Sequence, residues 1–121
     1  MDNFNVITEP KDCTKYSLDE IINYLHFEYL HAIDPDDDSI SNKQQFYCGI
    51  TRNIGENLNR HNVKGYTVCC LCASCQIAAQ VEEKLGKMGF DIGNPKNKMG
   101  NGGNEDSRII YMIKKEKNFR K

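Results

Sequence analysis

Apolar residues recur at helical spacing in two stretches of the chain. In the first, Ser17 and Glu20 have the spacing of a capping box, which predicts a helix that begins at residue 18. In the second, Ser74 is placed to cap the start of a helix and Gly89 to end it. The repeating apolar positions are Leu18, Ile21, Ile22 and Leu25 in the first stretch, and Ile77, Val81, Leu85 and Met88 in the second. The pattern therefore predicts two amphipathic helices.

Short apolar runs rich in strand formers occupy other parts of the chain. Residues 46–50, 66–72 and 108–114 are three such runs. The segment FEYLHAI, residues 27–33, fits either a continuation of the first helix or a strand. We favour the strand, because the acidic, turn-forming residues 34–38 follow it and lead towards residues 46–50, which would make a long-looped hairpin. The expected fold is α+β, with a small, mostly antiparallel sheet of this hairpin and two further strands, flanked by helices.

Length and composition indicate one domain. A chain of 121 residues can bury one core but is short for two, so we assign residues 1–114 to a single domain with an acidic amino-terminal helix, and residues 115–121 to a basic tail. No apolar run approaches the roughly 20 residues of a membrane span, and the opening MDNFNVITEP lacks the features of an export signal. We therefore expect no membrane association and an intracellular location, in the cytoplasm or the nucleus. There the six cysteines would remain free thiols.

Charge is unevenly distributed along the chain. Residues 1–40 hold two lysines and ten acidic residues, a net charge of −8, whereas residues 41–121 hold fourteen basic and seven acidic residues, a net charge of +7. The basic residues that would meet a phosphate backbone are Arg52, Arg60, Lys64, Lys114, Lys115, Lys117, Arg120 and Lys121. This distribution indicates either a nucleic-acid partner, which we expect to be DNA, or an ordinary solvated surface. The acidic amino-terminal region would suit a protein partner.

One segment, residues 46–62, runs from an apolar strand through a glycine into a short polar helix. It contains Tyr47, then Gly49, and then His61 twelve residues beyond the glycine. This Tyr-x-Gly and its histidine resemble the second half of the signature of the GIY-YIG nuclease superfamily. The fold implied by the resemblance is a GIY-YIG-like version of the α+β fold.

Two later matches extend the resemblance over roughly residues 27–94. In that family a glutamate on a later helix binds a divalent metal, usually within Ala-x-x-x-Glu-x-x-Leu, and Ala78, Glu82 and Leu85 have this spacing. An asparagine twelve residues after the glutamate is also common, and Asn94 stands there.

The resemblance implies roles in hydrolysing a phosphodiester bond. Tyrosines from two hairpin strands would position or activate the attacking water. Tyr47 is one of them, and Tyr29 is the best substitute for the other, because Gly-Ile-Tyr is absent as such. His61 would assist proton transfer, and Glu82 would hold one Mg²⁺ or Mn²⁺ ion, since a hard ion can be held by one carboxylate together with water and substrate oxygens. The positions of Asn57 and Asn94 in the motif make them candidate substrate contacts, and the positive charge of Arg52 and Lys64 adds these two residues.

Each of these residues also has a purely structural explanation. Strand propensity alone accounts for Tyr29 and Tyr47, and a histidine near a helix end can interact with the helix dipole. Glu82 would be a surface glutamate on an exposed helix, and Asn94 would stabilise a glycine-rich turn.

The chain departs from the family at one catalytic position. The family's arginine falls eight residues after the glycine, where this chain has Asn57. A neutral amide supplies neither the permanent charge nor the forked geometry of a guanidinium, and losing such a group costs on the order of 10²- to 10⁵-fold in rate. Arg60 lies three residues on and would reach the same phosphate, but it is also placed to pair with Glu56.

These observations predict a metal-dependent endonuclease-like domain acting on DNA, with impaired activity. The alternative is a catalytically inactive binding protein with the same fold, such as a phage or mobile-element effector. A thiol or zinc module within residues 69–75 is a third possibility, because Cys72 and Cys75 have the spacing of a ligand pair.

Overall fold

A computed structural model describes residues 10–33, 40–54, 67–93 and 107–115. In chain order the elements are β1 (Lys11–Asp12), α1 (Leu18–Ala32), α2 (Ile40–Lys43), β2 (Phe46–Thr51), β3 (Thr67–Leu71), α3 (Cys75–Met88) and β4 (Ile109–Lys114). The expected α+β class is confirmed. Within these ranges, no helix has the length and apolar character needed to cross a membrane.

The described strands form one mixed sheet in the order β1-β3-β4-β2. Strand β4 lies between β2 and β3 and pairs antiparallel with both, whereas β1 pairs parallel with β3. The strands expected at residues 46–50, 66–72 and 108–114 are therefore confirmed, with ends that differ by one residue. Their arrangement places the strand that is latest in sequence between two earlier ones.

Helix α1 continues through a segment that we expected to be a strand. It begins as predicted, since the Ser17 hydroxyl accepts a hydrogen bond from the backbone N–H of Glu20 and the Glu20 carboxylate accepts one from the N–H of Ser17. The buried residues of the helix are Ile21, Ile22, Leu25 and Tyr29. Tyr29 extends this stripe by one turn, so helical spacing buries its ring with the others. The prediction of a strand at residues 27–33 is therefore wrong. The predicted hairpin between that strand and β2 is also wrong, because β2 pairs with β4.

Helix α3 has both of its predicted ends. The Ser74 hydroxyl accepts a hydrogen bond from the N–H of Ile77, 3.2 Å away, which caps the first turn. Gly89 ends the helix in the left-handed conformation, with φ 112°, where a glycine avoids the steric cost that a Cβ atom would bring.

The two faces of the sheet carry separate apolar clusters, because successive side chains of a strand point to opposite faces. The larger cluster, here called the helix-side core, lies between the sheet and helices α1 and α3. The smaller cluster, here called the tyrosine cluster, occupies the other face and consists of Tyr47, Ile54, Cys69, Tyr111 and Ile113.

Candidate functional site

Two tyrosines from neighbouring strands meet in the tyrosine cluster. The ring centroids of Tyr47 on β2 and Tyr111 on β4 are 6.3 Å apart. Tyr111 pairs with Gly49 and Tyr47 pairs with Ile113, so the two tyrosines are diagonal neighbours on one face. Tyr47 is 4% exposed and Tyr111 is 1% exposed. Substrate would therefore reach the phenols only after the surrounding chain has opened.

The tyrosine pair gives a physical reason for Gly49. A Cβ atom at residue 49 would lie 2.6 Å from the Tyr111 hydroxyl oxygen and 2.8 Å from its Cζ atom. Both distances are shorter than normal van der Waals contacts, so a larger residue would displace the Tyr111 ring. The glycine of the Tyr-x-Gly motif thus makes room for a tyrosine on the adjacent strand.

Tyr29 lies on the other side of the sheet. Its ring packs edge-on against Phe46 at 5.1 Å and against Phe90 at 5.0 Å between centroids, inside the helix-side core. Because Tyr47 points to the opposite face, the two rings do not converge. Its assignment as the second hairpin tyrosine assumed a strand that does not form, and core packing explains the residue.

Glu82 also lies on the helix side, where it is 1% exposed. Its neighbours Val81 and Leu85 on α3 belong to the helix-side core. Burial, and then the negative charges of Glu82 and Asp91, raise the pKa of Cys48, which belongs to the same core, well above its usual value. Cys48 belongs to the helix-side core, whereas its neighbour Tyr47 faces the tyrosine cluster. The sheet therefore lies between the Glu82 carboxylate and the tyrosine pair.

The surroundings of Glu82 do not favour a hydrated magnesium ion. Such an ion keeps several water ligands, and an almost fully buried carboxylate leaves little room for them. Glu82 also has an interaction partner within the folded chain. Across residues 10–33, 40–54, 67–93 and 107–115, no three His, Cys, Asp or Glu side chains are grouped to hold a metal.

Two exposed arginines lie at the same end of the sheet. Thr51 pairs with Ile109, so Arg52, which follows β2, is next to Arg108, which precedes β4. Arg108 reaches the carbonyl oxygen of Ala73 just before α3, with its Nη1 atom 3.5 Å away. Arg52 is thus placed where it could contact a phosphate, with a second arginine beside it.

The other predicted site residues lie outside the described ranges. They are Asn57, Arg60, His61, Lys64 and Asn94.

The sequence interpretation missed Tyr111. The residues Ile109, Ile110 and Tyr111 match Gly-Ile-Tyr at their last two positions. The resemblance places Gly-Ile-Tyr before Tyr47, whereas these residues come 62 to 64 positions after it. Once β4 pairs with β2, the separation in sequence is irrelevant.

Comparisons with protein families, with characterised proteins and with solved structures found no match.

Proposed function

We propose that this protein binds nucleic acid through a GIY-YIG-like scaffold that lacks a complete phosphodiesterase site. The observation that carries the proposal is the separation of Glu82 from the tyrosine pair by the sheet. Hydrolysis needs a base, positive charge and a metal or other stabilising group around one phosphate. With Asn57 at the family's arginine position, the candidate site also lacks the charge that would hold that phosphate.

The scaffold part of the proposal is supported by the contact between β2 and β4. Two antiparallel strands each bring a tyrosine to one face, and the tyrosine on β2 is followed two residues later by the glycine that accommodates the other ring. The family resemblance implies two tyrosines on paired strands, and in this proposal Tyr111 takes the role first given to Tyr29.

The nucleic-acid part is supported by charge. The net charge of +7 lies in residues 41–121, which include Arg52 and Arg108 at the exposed end of the sheet. Arginine is well suited to phosphate because its planar fork donates several hydrogen bonds and keeps its charge. Binding through the acidic residues of α1 to a basic protein is the other form of this proposal.

Binding is best tested by fluorescence anisotropy with labelled double- and single-stranded DNA over a range of salt concentrations. We expect the logarithm of the affinity to fall linearly with the logarithm of the salt concentration. Arg52→Gln and Arg108→Gln should each reduce that slope by about 1. Lys84→Gln is the matched control, because Lys84 lies on α3 rather than beside the two arginines. Its Nζ atom is 3.8 Å from the Oδ1 atom of Asp19. Absence of binding at low salt, or an equal effect of all three changes, would contradict the proposal.

A metal-dependent DNA endonuclease is the second candidate, and the Tyr47–Tyr111 contact favours it. In this candidate the tyrosines would orient the water, Arg60 would contact the phosphate, and His61 would assist proton transfer. Glu82 would be the residue that holds one Mg²⁺ or Mn²⁺ ion, as the resemblance implies. This candidate requires the fold to rearrange, because the sheet lies between the buried Glu82 carboxylate and the two buried phenols.

Cleavage of supercoiled plasmid in Mg²⁺ or Mn²⁺ separates the two candidates. We expect no nicking by the natural protein, and Asn57→Arg tests whether the missing charge is the cause. If the natural protein nicks DNA, and Tyr111→Phe and Glu82→Gln abolish the activity while Tyr24→Phe does not, the endonuclease is correct. Tyr24 is a suitable control because it lies on α1, partly buried against the helix-side core.

A further inference from the structure

Three cysteines lie together where the short strand β1 joins the sheet. Cys13 follows β1 directly, and its backbone N–H donates to the carbonyl of Leu71 on β3, 2.9 Å away. The parallel register pairs Lys11 with Cys70 and Asp12 with Leu71, so the next residues in register are Cys13 and Cys72. Side chains two residues apart share a face, which puts the thiols of Cys13, Cys70 and Cys72 on the helix side.

The thiols are free and close together. All six cysteines of the chain are buried and outside any disulfide, and Cys13, Cys70 and Cys72 have no exposed surface. The Cys70 thiol lowers the pKa of Cys13 against the larger effect of burial, which is consistent with their common face. Cys69, next to them in sequence, points to the tyrosine cluster on the other face.

We propose that Cys13 and Cys72 are a disulfide-forming pair through which oxidation fixes β1 to β3. Residues opposite each other in neighbouring strands have Cα atoms about 4.8 Å apart, which is within the range that a disulfide bridges. Cys70 is two residues out of register with Cys13, which places its Cα atom about 8 Å away and beyond that range. The register therefore selects Cys72 as the partner of Cys13.

The small size of β1 provides access to the buried thiols. Only Lys11 and Asp12 form the strand, it lies at one end of the strand order, and both of its side chains are exposed. The Lys11 ammonium helps to hold it, lying 5.6 Å from the Tyr16 ring centroid and 5.3 Å from that of Tyr24. Short edge elements of this kind open locally without unfolding the rest of a domain.

The reaction is a thiol–disulfide exchange with a low-molecular-weight disulfide, RSSR. The Cys13 thiolate attacks RSSR and forms Cys13–S–S–R, and the released RS⁻ takes up the proton that Cys13 lost. The Cys72 thiolate then attacks the Cys13 sulfur and releases a second RSH. The two cysteines lose two electrons and two protons, and RSSR is reduced to two molecules of RSH.

Cys13 is the better attacking group. Burial raises the pKa of Cys13, and the neighbouring Cys70 side chain opposes this effect by lowering it. Burial raises the pKa of Cys72 further, to about 12. Opening of β1 exposes Cys13 first, because Cys13 is attached to the strand that moves.

The test treats the full chain with oxidised glutathione and maps its disulfides by mass spectrometry. Trypsin leaves Cys13 in residues 12–15 and Cys72 in residues 65–84, so the proposed bridge links these two peptides. We expect the linked pair, a mass loss of about 2 Da for the two hydrogens, and a rise in Tm of roughly 5–15 °C. Dithiothreitol should reverse both changes. Fragmentation of the linked peptides identifies the partner of Cys13.

Variants provide a second, independent readout. Cys13→Ala and Cys72→Ala should each prevent the rise in Tm. Cys69→Ser, on β3 but facing the tyrosine cluster, should retain it. A bridge to Cys70, a bridge confined to residues 65–84, or glutathione adducts alone would overturn the proposal. Since mapping the natural protein needs no substitution, a variant that fails to fold leaves the test intact.

Discussion

The helix-side core and the tyrosine cluster differ in what holds them together. On the helix side, α1 and α3 cover the sheet with many aliphatic side chains, and the fully buried Tyr29 packs edge-on between two phenylalanines. On the other face, five residues form the cluster, and a glycine is needed to accommodate one tyrosine. Tyr47 and Glu82 were predicted to act together but lie on opposite sides of the sheet. Spacing in the sequence can therefore group residues that the fold keeps apart.

The largest expected effect on stability comes from Tyr29→Ala in the helix-side core. Removing a fully buried aromatic ring from the helix-side core should lower the free energy of unfolding by about 3–5 kcal/mol. Urea denaturation measures the change. Phe27→Ala is the control on the same helix, because Phe27 is 56% exposed and its loss should cost within about 0.5 kcal/mol. Equal effects of the two changes would mean that α1 does not bury Tyr29.

A smaller effect is expected on the tyrosine side from Gly49→Ala. The new methyl group would overlap the Tyr111 ring, and we expect a loss of about 1–3 kcal/mol in the free energy of unfolding. In a Tyr111→Ala background the same change should cost much less, which a double-mutant cycle measures.

Gly86→Ala is the matched glycine control for Gly49→Ala. Its added Cβ would meet the Cδ1 atom of Ile92 at 2.6 Å, but that atom ends a flexible side chain and can move. Alanine also favours the helical conformation of α3. A cost within about 1 kcal/mol is expected, and a cost as large as that of Gly49→Ala would remove the distinction between the sites.

The smallest expected effect is a difference between the two faces in how the free energy of unfolding depends on pH. Burial raises the pKa of Cys69, in the tyrosine cluster, to about 11, and that of Cys72, on the helix side, to about 12. A thiol with a raised pKa in the folded protein contributes stability that is complete below its unfolded pKa of 9.0 and is lost as pH rises through its folded pKa. The free energy of unfolding should therefore fall from about pH 9 upward, and Cys69 reaches its folded pKa first.

Replacing one thiol should reduce this alkaline loss. Between pH 8 and pH 10 the loss should be smaller in Cys69→Ala than in the natural protein by about 1 kcal/mol. Val68→Ala, an apolar change on the same strand, should lower stability equally at all pH values. Chemical denaturation at several pH values measures the free energy of unfolding of both variants. If this free energy depends on pH in the same way in Cys69→Ala and in the natural protein, the pKa of Cys69 is not raised.

Local sequence signals predicted much of the fold. Ser17, Glu20, Ser74 and Gly89 act through neighbours within a few residues, and the helix ends that they mark are confirmed. Residues 27–33 were ambiguous because a short apolar run fits a strand as well as the last turns of a helix. On the helix, Tyr29 contacts Phe46 and Phe90. Neither partner is near Tyr29 in sequence, so a local pattern could not indicate these contacts.

The candidate site was less predictable because it depends on strand order. Tyr47 and Gly49 were recognised from their spacing, but their contact with Tyr111 exists only because β4 pairs with β2. Glu82 matched the family by spacing within its own helix, and that spacing carries no information about which face of the sheet the helix covers. Motif spacing thus describes each element separately, whereas a site requires the elements to be assembled.

The central position of β4 has a consequence for how the chain folds during synthesis. Strands β2 and β3 both pair with β4, so their inner edges have no partner until residue 114 has left the ribosome. A nascent chain that ends before β4 would expose two unpaired strand edges, which are prone to association with other chains. The sheet should therefore form late, in a single step that joins distant segments, and translation pauses before β4 should favour aggregation.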